Sequence, residues 1–171
     1  PGKLPEYFLG YIHPQALSSC VASLVLAPGP NSSVLDLCAA PGGKASHLAQ
    51  LMGNTGILVA NELHPRRHAP LGHTLSRLGV LNAVQTAYPA QEFPLRHCFD
   101  FIMADVPCSG EGRWRLSRQP QATGESRDRV GIVKAQKKMI LRGFDLLKEE
   151  GVMVYSTCTY NPAENERVVD F

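Results

Sequence analysis

Apolar and polar positions along the chain divide it into strands and helices in alternation. Residues 34–44 read VLDLCAAPGGK, in which a short apolar run (Val34, Leu35, Leu37) ends in Cys38 and two alanines and breaks at Pro41-Gly42-Gly43. Beyond the break Ala45, Leu48, Ala49, Leu51 and Met52 recur at helical spacing. Strand, tight turn and helix in that order open an α/β sheet, and the remaining pattern is arranged around this unit. Upstream, residues 1–12 carry prolines and glycines with aromatics between them and predict an extended lead-in. A helix is expected from Pro14, with Leu17, Val21, Leu24 and Val25 as its apolar stripe, until Pro28-Gly29-Pro30 stops it. Downstream, strands are predicted over 57–61, 83–86, 99–105 and 151–156 and helices over 64–78 and 130–148, with a last helix opened by Asn161-Pro162. Pro70 and Gly72 threaten a kink in the first of these helices. Val133, Ile140, Phe144 and Leu147 mark the buried side of the second. Residues 106–128 hold prolines, glycines and arginines with little periodicity, a connection long enough to be functional or mobile. Strands alternating with helices give a doubly wound, mostly parallel sheet.

In such sheets a ligand sits at the carboxyl end of the first strand, beside the next helix's N-terminus. Ala39, Ala40, Gly42 and Gly43 remove side chains that would keep a ligand off the backbone there. A nucleotide triphosphate loop fails twice, since Cys38 and Ala45 stand where Gly and Ser or Thr are required. A dinucleotide fingerprint fails because the only glycines are adjacent. Glu62 nevertheless ends the second strand, where its carboxylate can accept from both hydroxyls of a ribose. A ribose site without a pyrophosphate loop favours S-adenosylmethionine over NAD; the plainer reading of this stretch is a tight turn with a capping acid. Two more strand ends carry chemistry. The fourth strand runs into Asp105-Val-Pro107-Cys108-Ser109 and the fifth into Ser156-Thr157-Cys158-Thr159, so two thiols and a carboxylate converge on the crevice of the ligand turn.

Composition narrows the setting. With 171 residues, 44% of them hydrophobic, the chain makes one globular unit: a lead-in and helix over 1–30, then the core over 31–171. A net charge of +2 does not by itself require a nucleic-acid partner. Arg113, Arg115, Arg118, Arg127, Arg129, Lys134, Lys137 and Lys138 are gathered in one region, however. No apolar stretch approaches the ~20 residues of a membrane span, and no signal peptide opens the chain. Five cysteines without a CxxC pair argue against a disulfide framework and against a zinc site, which implies a reducing compartment such as the cytoplasm. Cys20 and Cys98 read as small buried hydrophobes. The sheet is expected to stop short of its last strands, leaving an edge open to self-association.

Four blocks carry a resemblance: LCAAPGGKASHLA, VANELHPRR, ADVPCSGEGRWR and VYSTCTYNPAENE. The chain resembles the catalytic core of the Sun/Fmu-like (NOL/NOP2/Sun-type) RNA cytosine-5 methyltransferases, whose signature is paired Pro-Cys and Thr-Cys motifs. The resemblance implies S-adenosylmethionine as cofactor, held by Cys38, Ala39, Ala40, Pro41, Gly42, Gly43 and Lys44, with Glu62 on the ribose and Arg67 nearby. It implies that Asp105 lines both the cofactor and base pockets. Cys158 resembles the attacking thiol and Cys108 the thiol that assists product release. The implied partner is RNA, ribosomal or transfer, presenting a single-stranded or flipped-out cytosine. Ala87-Tyr88-Pro89-Ala90 departs from the family, which carries an acid after the third strand; Tyr88 offers stacking instead. A catalytically idle RNA-binding relative, and a methyltransferase for DNA or a small molecule, are the alternative functions. The Thr-Cys motif speaks against the DNA enzymes, which attack from the Pro-Cys cysteine.

Overall fold

The computed structural model describes residues 2–112 and 126–171. The arginine cluster at Arg113, Arg115 and Arg118 lies outside the described residues, as do the side chains of Arg127 and Arg129. Five strands form one parallel sheet: β1 (Ser33–Asp36), β2 (Ile57–Asn61), β3 (Ala83–Thr86), β4 (Phe99–Asp105) and β5 (Leu147–Ser156). Their order is β3-β2-β1-β4-β5. The chain therefore winds outward from β1 through β2 to β3, then returns to the other side of β1. The point of reversal, between β1 and β4, is where such sheets open a crevice.

Helices cover both faces. Val34, Leu58, Ala60 and Met103 pack with Leu26 of α2 (Leu17–Leu26), Ala45, Leu48 and Ala49 of α3 (Gly43–Leu51), and Leu71 and Leu75 of α4 (Pro65–Arg77). On the opposite face Leu35, Leu37, Val59, Ile102 and Ala104 pack with Phe93, Phe99 and Leu146, the last residue of α5 (Ser126–Leu146). Val34 and Leu35, adjacent in β1, thus enter opposite cores, as expected of a strand covered on both faces.

The doubly wound, parallel architecture agrees with the sequence reading, and four details differ. The lead-in contains one helical turn, α1 (Pro5–Phe8), begun by a proline suited to a first turn. Helix α4 runs unbroken through Pro70 and Gly72, because Leu71 and Leu75 are buried against the sheet and their packing outweighs one missing backbone donor. Phe144 is 62% exposed; the buried side of α5 is instead marked by Gln136, Ile140 and Leu146, and Leu147 already opens β5. The final helix α6 (Glu166–Val169) starts later than Asn161-Pro162, which form a turn in which Asn161 Oδ1 accepts from the Ala163 amide.

Candidate functional site

The turn after β1 is built from small residues. The Ala40–Pro41 peptide is cis, and Gly42 has φ of 104°, a left-handed conformation that disfavours any side chain. A Cβ on Gly42 would lie 3.0 Å from Thr74 Cβ and 3.2 Å from Leu71 Cδ1. Gly42 therefore lets α4 close onto the turn. A Cβ on Gly43 would lie 3.5–3.6 Å from Gln15 and His13, an ordinary contact distance. Between them lies a cavity of about 360 Å³, whose lining includes His13, Gln15, Asp36, Cys38, Gly43, Lys44 and Asp105. Ala39, Ala40 and Pro41 also line it.

The cavity's charges come from two strand ends and the first turn of α3. Asp36, at the end of β1, is 1% exposed, and its Oδ1 accepts from the Cys38 amide at 3.2 Å while Oδ2 is buried without a partner. Burial, then the nearby Asp105 carboxylate, raises its pKa to about 7. Asp105, at the end of β4, accepts from Lys44 Nζ at 2.8 Å through Oδ2 and from the Ser156 hydroxyl of β5 at 2.7 Å through Oδ1. Burial, followed by the surrounding carboxylates led by Asp36, pushes the Cys38 thiol well up, so Cys38 stays protonated and contributes bulk and backbone to the turn.

Glu62 and Arg67 stand beside this cavity and not among its lining. Glu62 is 2% exposed, accepts from the His64 amide at 2.8 Å and pairs with Arg67 Nη1 at 3.0 Å. Arg67 also donates to the Ala40 carbonyl, so the pair ties the end of β2 to the glycine turn. Tyr88 packs edge-on against Phe93, with ring centroids 5.5 Å apart, and its ring is half exposed.

The two thiols predicted to converge do so. Cys108 Sγ and Cys158 Sγ are 3.1 Å apart, and the Cys158 amide donates to Cys108 Sγ at 3.2 Å. The hydrogen bond to Cys158, then burial, pushes the Cys108 thiol well up. Either sulfur can donate to the other across this distance. Cys158 is exposed and Cys108 half-buried, so Cys158 is the more accessible sulfur of the pair. Asp105 joins this pair to the cavity, three residues before Cys108 and bonded to Ser156, two before Cys158. Sequence reasoning missed His13, Gln15 and Asp36. Asp36 was visible as the one charge inside an apolar strand, whereas His13 and Gln15 reach the cavity only through the fold of the lead-in.

The family model described as 16S rRNA methyltransferase RsmB/F matches residues 23–171. Over 171 residues the chain is 41% identical to the tRNA (cytosine(49)-C(5))-methyltransferase of Pyrococcus abyssi, covering 99% of this chain and 55% of that protein. It is 37% identical to the human 28S rRNA (cytosine(4447)-C(5))-methyltransferase, over 99% of this chain and 22% of that protein. With the Vibrio vulnificus ribosomal RNA small subunit methyltransferase F, identity is 39% over 98% of this chain and 36% of that protein. The chain therefore spans between about a fifth and just over half of these relatives. Among solved structures, NSun6 from Pyrococcus horikoshii, crystallised with SFG, superimposes with a TM-score of 0.89 at 33% identity, over 99% of this chain and 44% of that one. Among the described residues no helix is long and apolar enough to cross a membrane.

Proposed function

Because the chain belongs to the RsmB/F methyltransferase family, we propose that it transfers a methyl group from S-adenosylmethionine to carbon 5 of a cytosine in RNA through a covalent cysteine adduct. The observation that carries the reading is the 3.1 Å thiol pair, Cys108 and Cys158, joined through Asp105 to the glycine-turn cavity. Two of the relatives named above are, by name, cytosine-C(5) methyltransferases of 28S ribosomal RNA and of transfer RNA, which supports the same substrate class for this chain.

The cavity fits the cofactor. Asp36 Oδ2, buried without a partner, suits a ligand ammonium or hydroxyl donor, and Gly43 presents backbone without a side chain to the cavity. That the solved NSun6 relative carries SFG, an S-adenosylmethionine analogue, supports the same assignment. Asp36, Gly43 and Lys44 would hold the group, with Glu62 and Arg67 bracing the turn. When bound, S-adenosylmethionine supplies a methyl group activated by a sulfonium.

Carbon 5 of cytosine is too weak a nucleophile to accept that methyl unaided. The Cys158 thiolate adds to carbon 6, which breaks the ring's aromaticity and leaves carbon 5 enamine-like. A proton shared between Asp105 and N3 neutralises the negative charge that thiolate addition puts on the ring, while the carboxyl group accepts from the exocyclic amine. Lys44, 2.8 Å from Asp105, keeps that carboxylate oriented. After transfer a base takes the proton from carbon 5, the electrons of that C–H bond reform the 5,6 double bond, and the Cys158 sulfur departs as a thiolate; Cys108, within hydrogen-bond reach of that sulfur, assists this release.

The test is incubation of the protein with RNA and methyl-labelled S-adenosylmethionine, followed by nucleoside analysis. Label in 5-methylcytidine is expected. Label in another nucleoside, or none with RNA that contains the natural target, overturns the reading; the second result would favour the idle RNA-binding relative.

A further inference from the structure

Glu164 is wholly buried, and every polar atom of its carboxylate is engaged in holding the two cysteine loops. Its Oε2 accepts from the Ser109 amide at 2.9 Å and from Gln136 Nε2 at 3.2 Å. Its Oε1 accepts from the Ser109 hydroxyl at 2.7 Å and from Asn161 Nδ2 at 3.1 Å. Burial pushes the Glu164 carboxyl up, but the bonds from Ser109, Gln136 and Asn161 outweigh it and hold the group below its ordinary value. A buried carboxylate satisfied by four donors is a rigid anchor, whereas one left short of donors would be strongly destabilising.

The anchored atoms bracket both thiols. Gln136 Nε2 also donates to the Pro107 carbonyl at 2.9 Å, so the residues before and after Cys108 both hang from the same carboxylate. The Ser109 hydroxyl lies 2.8 Å from Thr159 Oγ1, which carries the restraint to the residue after Cys158. Tyr155, on β5, donates its hydroxyl to the Glu164 carbonyl at 2.7 Å and closes the frame from behind.

We infer that Glu164 is a positioning residue for the thiol pair: its carboxylate sets the distance and orientation of Cys108 relative to Cys158, with Gln136 and Ser109 as its arms. The inference rests on the proposed chemistry for its consequence, because that chemistry needs Cys108 to reach the Cys158 sulfur after methyl transfer. Loss of the Glu164 anchor leaves Cys158 able to attack and leaves the release step slow. A residue that only stabilised the fold would not distinguish those two steps.

Glu164→Gln keeps the shape and replaces one acceptor oxygen by an amide nitrogen, which cannot accept from Ser109. Two readouts are taken on this variant. The first needs no catalysis: diamide removes two electrons and two protons from the pair as one disulfide forms, and mass spectrometry follows its closure. Closure should slow by about tenfold, the change expected when one charge-assisted hydrogen bond is lost. The second is the yield of protein covalently attached to RNA during turnover, which should rise toward that of Cys108→Ala while affinity for S-adenosylmethionine is unchanged. Wild-type closure and wild-type adduct yield in Glu164→Gln overturn the inference, as does a lower melting temperature accompanied by wild-type closure. If Glu164→Gln cannot be recovered folded, Ser109→Ala decides: slowed closure upholds the positioning role, and an unchanged rate overturns it. Should Cys108→Ala itself give no adduct, the proposed chemistry fails, while slowed closure in Glu164→Gln still upholds the geometric role.

Discussion

A carboxyl group enclosed between Leu35 and Leu37 is costly to ionise, and Asp36 shows how that cost enters stability. In the unfolded chain its pKa is near the ordinary 3.8, and in the fold it is about 7. Between those values the unfolded chain has released a proton that the fold still holds, so stability falls as pH rises, by about 1.4 kcal/mol per pH unit. Glu164 acts in the opposite sense, contributing stability above its ordinary value of 4.5 that is lost as pH falls. Asp36→Asn separates the two, since Glu164 is common to both proteins and Asn can still accept from the Cys38 amide. Without ligand, the variant's gain in unfolding free energy should grow from about pH 4 to pH 7 and then level off. Urea titrations across that range check this, and a gain independent of pH contradicts it. Several of these residues were legible in the sequence. Cys108, Cys158 and Asp105 stand just past strand ends, and a parallel sheet brings such ends together. Glu164 and His13 were not legible as site residues, because their partners are distant in sequence and nothing local marks them.

At the scale of elements, the two glycines of the turn serve different neighbours, and paired substitutions separate them. Gly42→Ala forces a Cβ against Thr74 in a left-handed conformation and should cost about 1–3 kcal/mol of stability. Combining it with Thr74→Ala should recover the part due to overlap and leave the part due to backbone strain. Gly43→Val meets only ordinary contacts at its Cβ and fills the cavity with its branches. It should fold normally and lose measurable binding of S-adenosylmethionine by isothermal titration. Unchanged affinity in Gly43→Val would mean that the cavity is not the cofactor site. The strands β2, β3 and β4 coincide with the stretches expected from the pattern, although β3 (Ala83–Thr86) is half polar. The end of α5 was misread because Leu147 continues an apolar spacing that the chain abandons at β5. Periodicity does not report where a helix stops when the next strand is apolar as well.

The molecule as a whole presents Lys134, Lys137 and Lys138 around an apolar groove on α5 that includes Leu141 and Phe171, with Lys137 Nζ 4.0 Å from the Phe171 ring. These lysines make phosphate contacts the expected source of RNA affinity. Binding should therefore fall steeply between about 50 and 200 mM salt, as counterion release requires. Fluorescence anisotropy with a short RNA measures the slope, and affinity that persists in high salt contradicts it. Strands β3 and β5 lie at the sheet edges among the described residues. If β5 templates pairing between copies, sedimentation should show a concentration-dependent dimer.

Attack on the base by Cys158 and its release with the help of Cys108 are tested most directly by denaturing gels of protein incubated with target RNA and S-adenosylmethionine. Cys158→Ala should form no adduct and transfer no methyl. Cys108→Ala should attack, transfer the methyl and then stall, running as a slow, denaturant-resistant band that carries the label. A band from Cys158→Ala with none from Cys108→Ala would reverse the two roles, and normal methylation by both variants would remove the thiol pair from the chemistry.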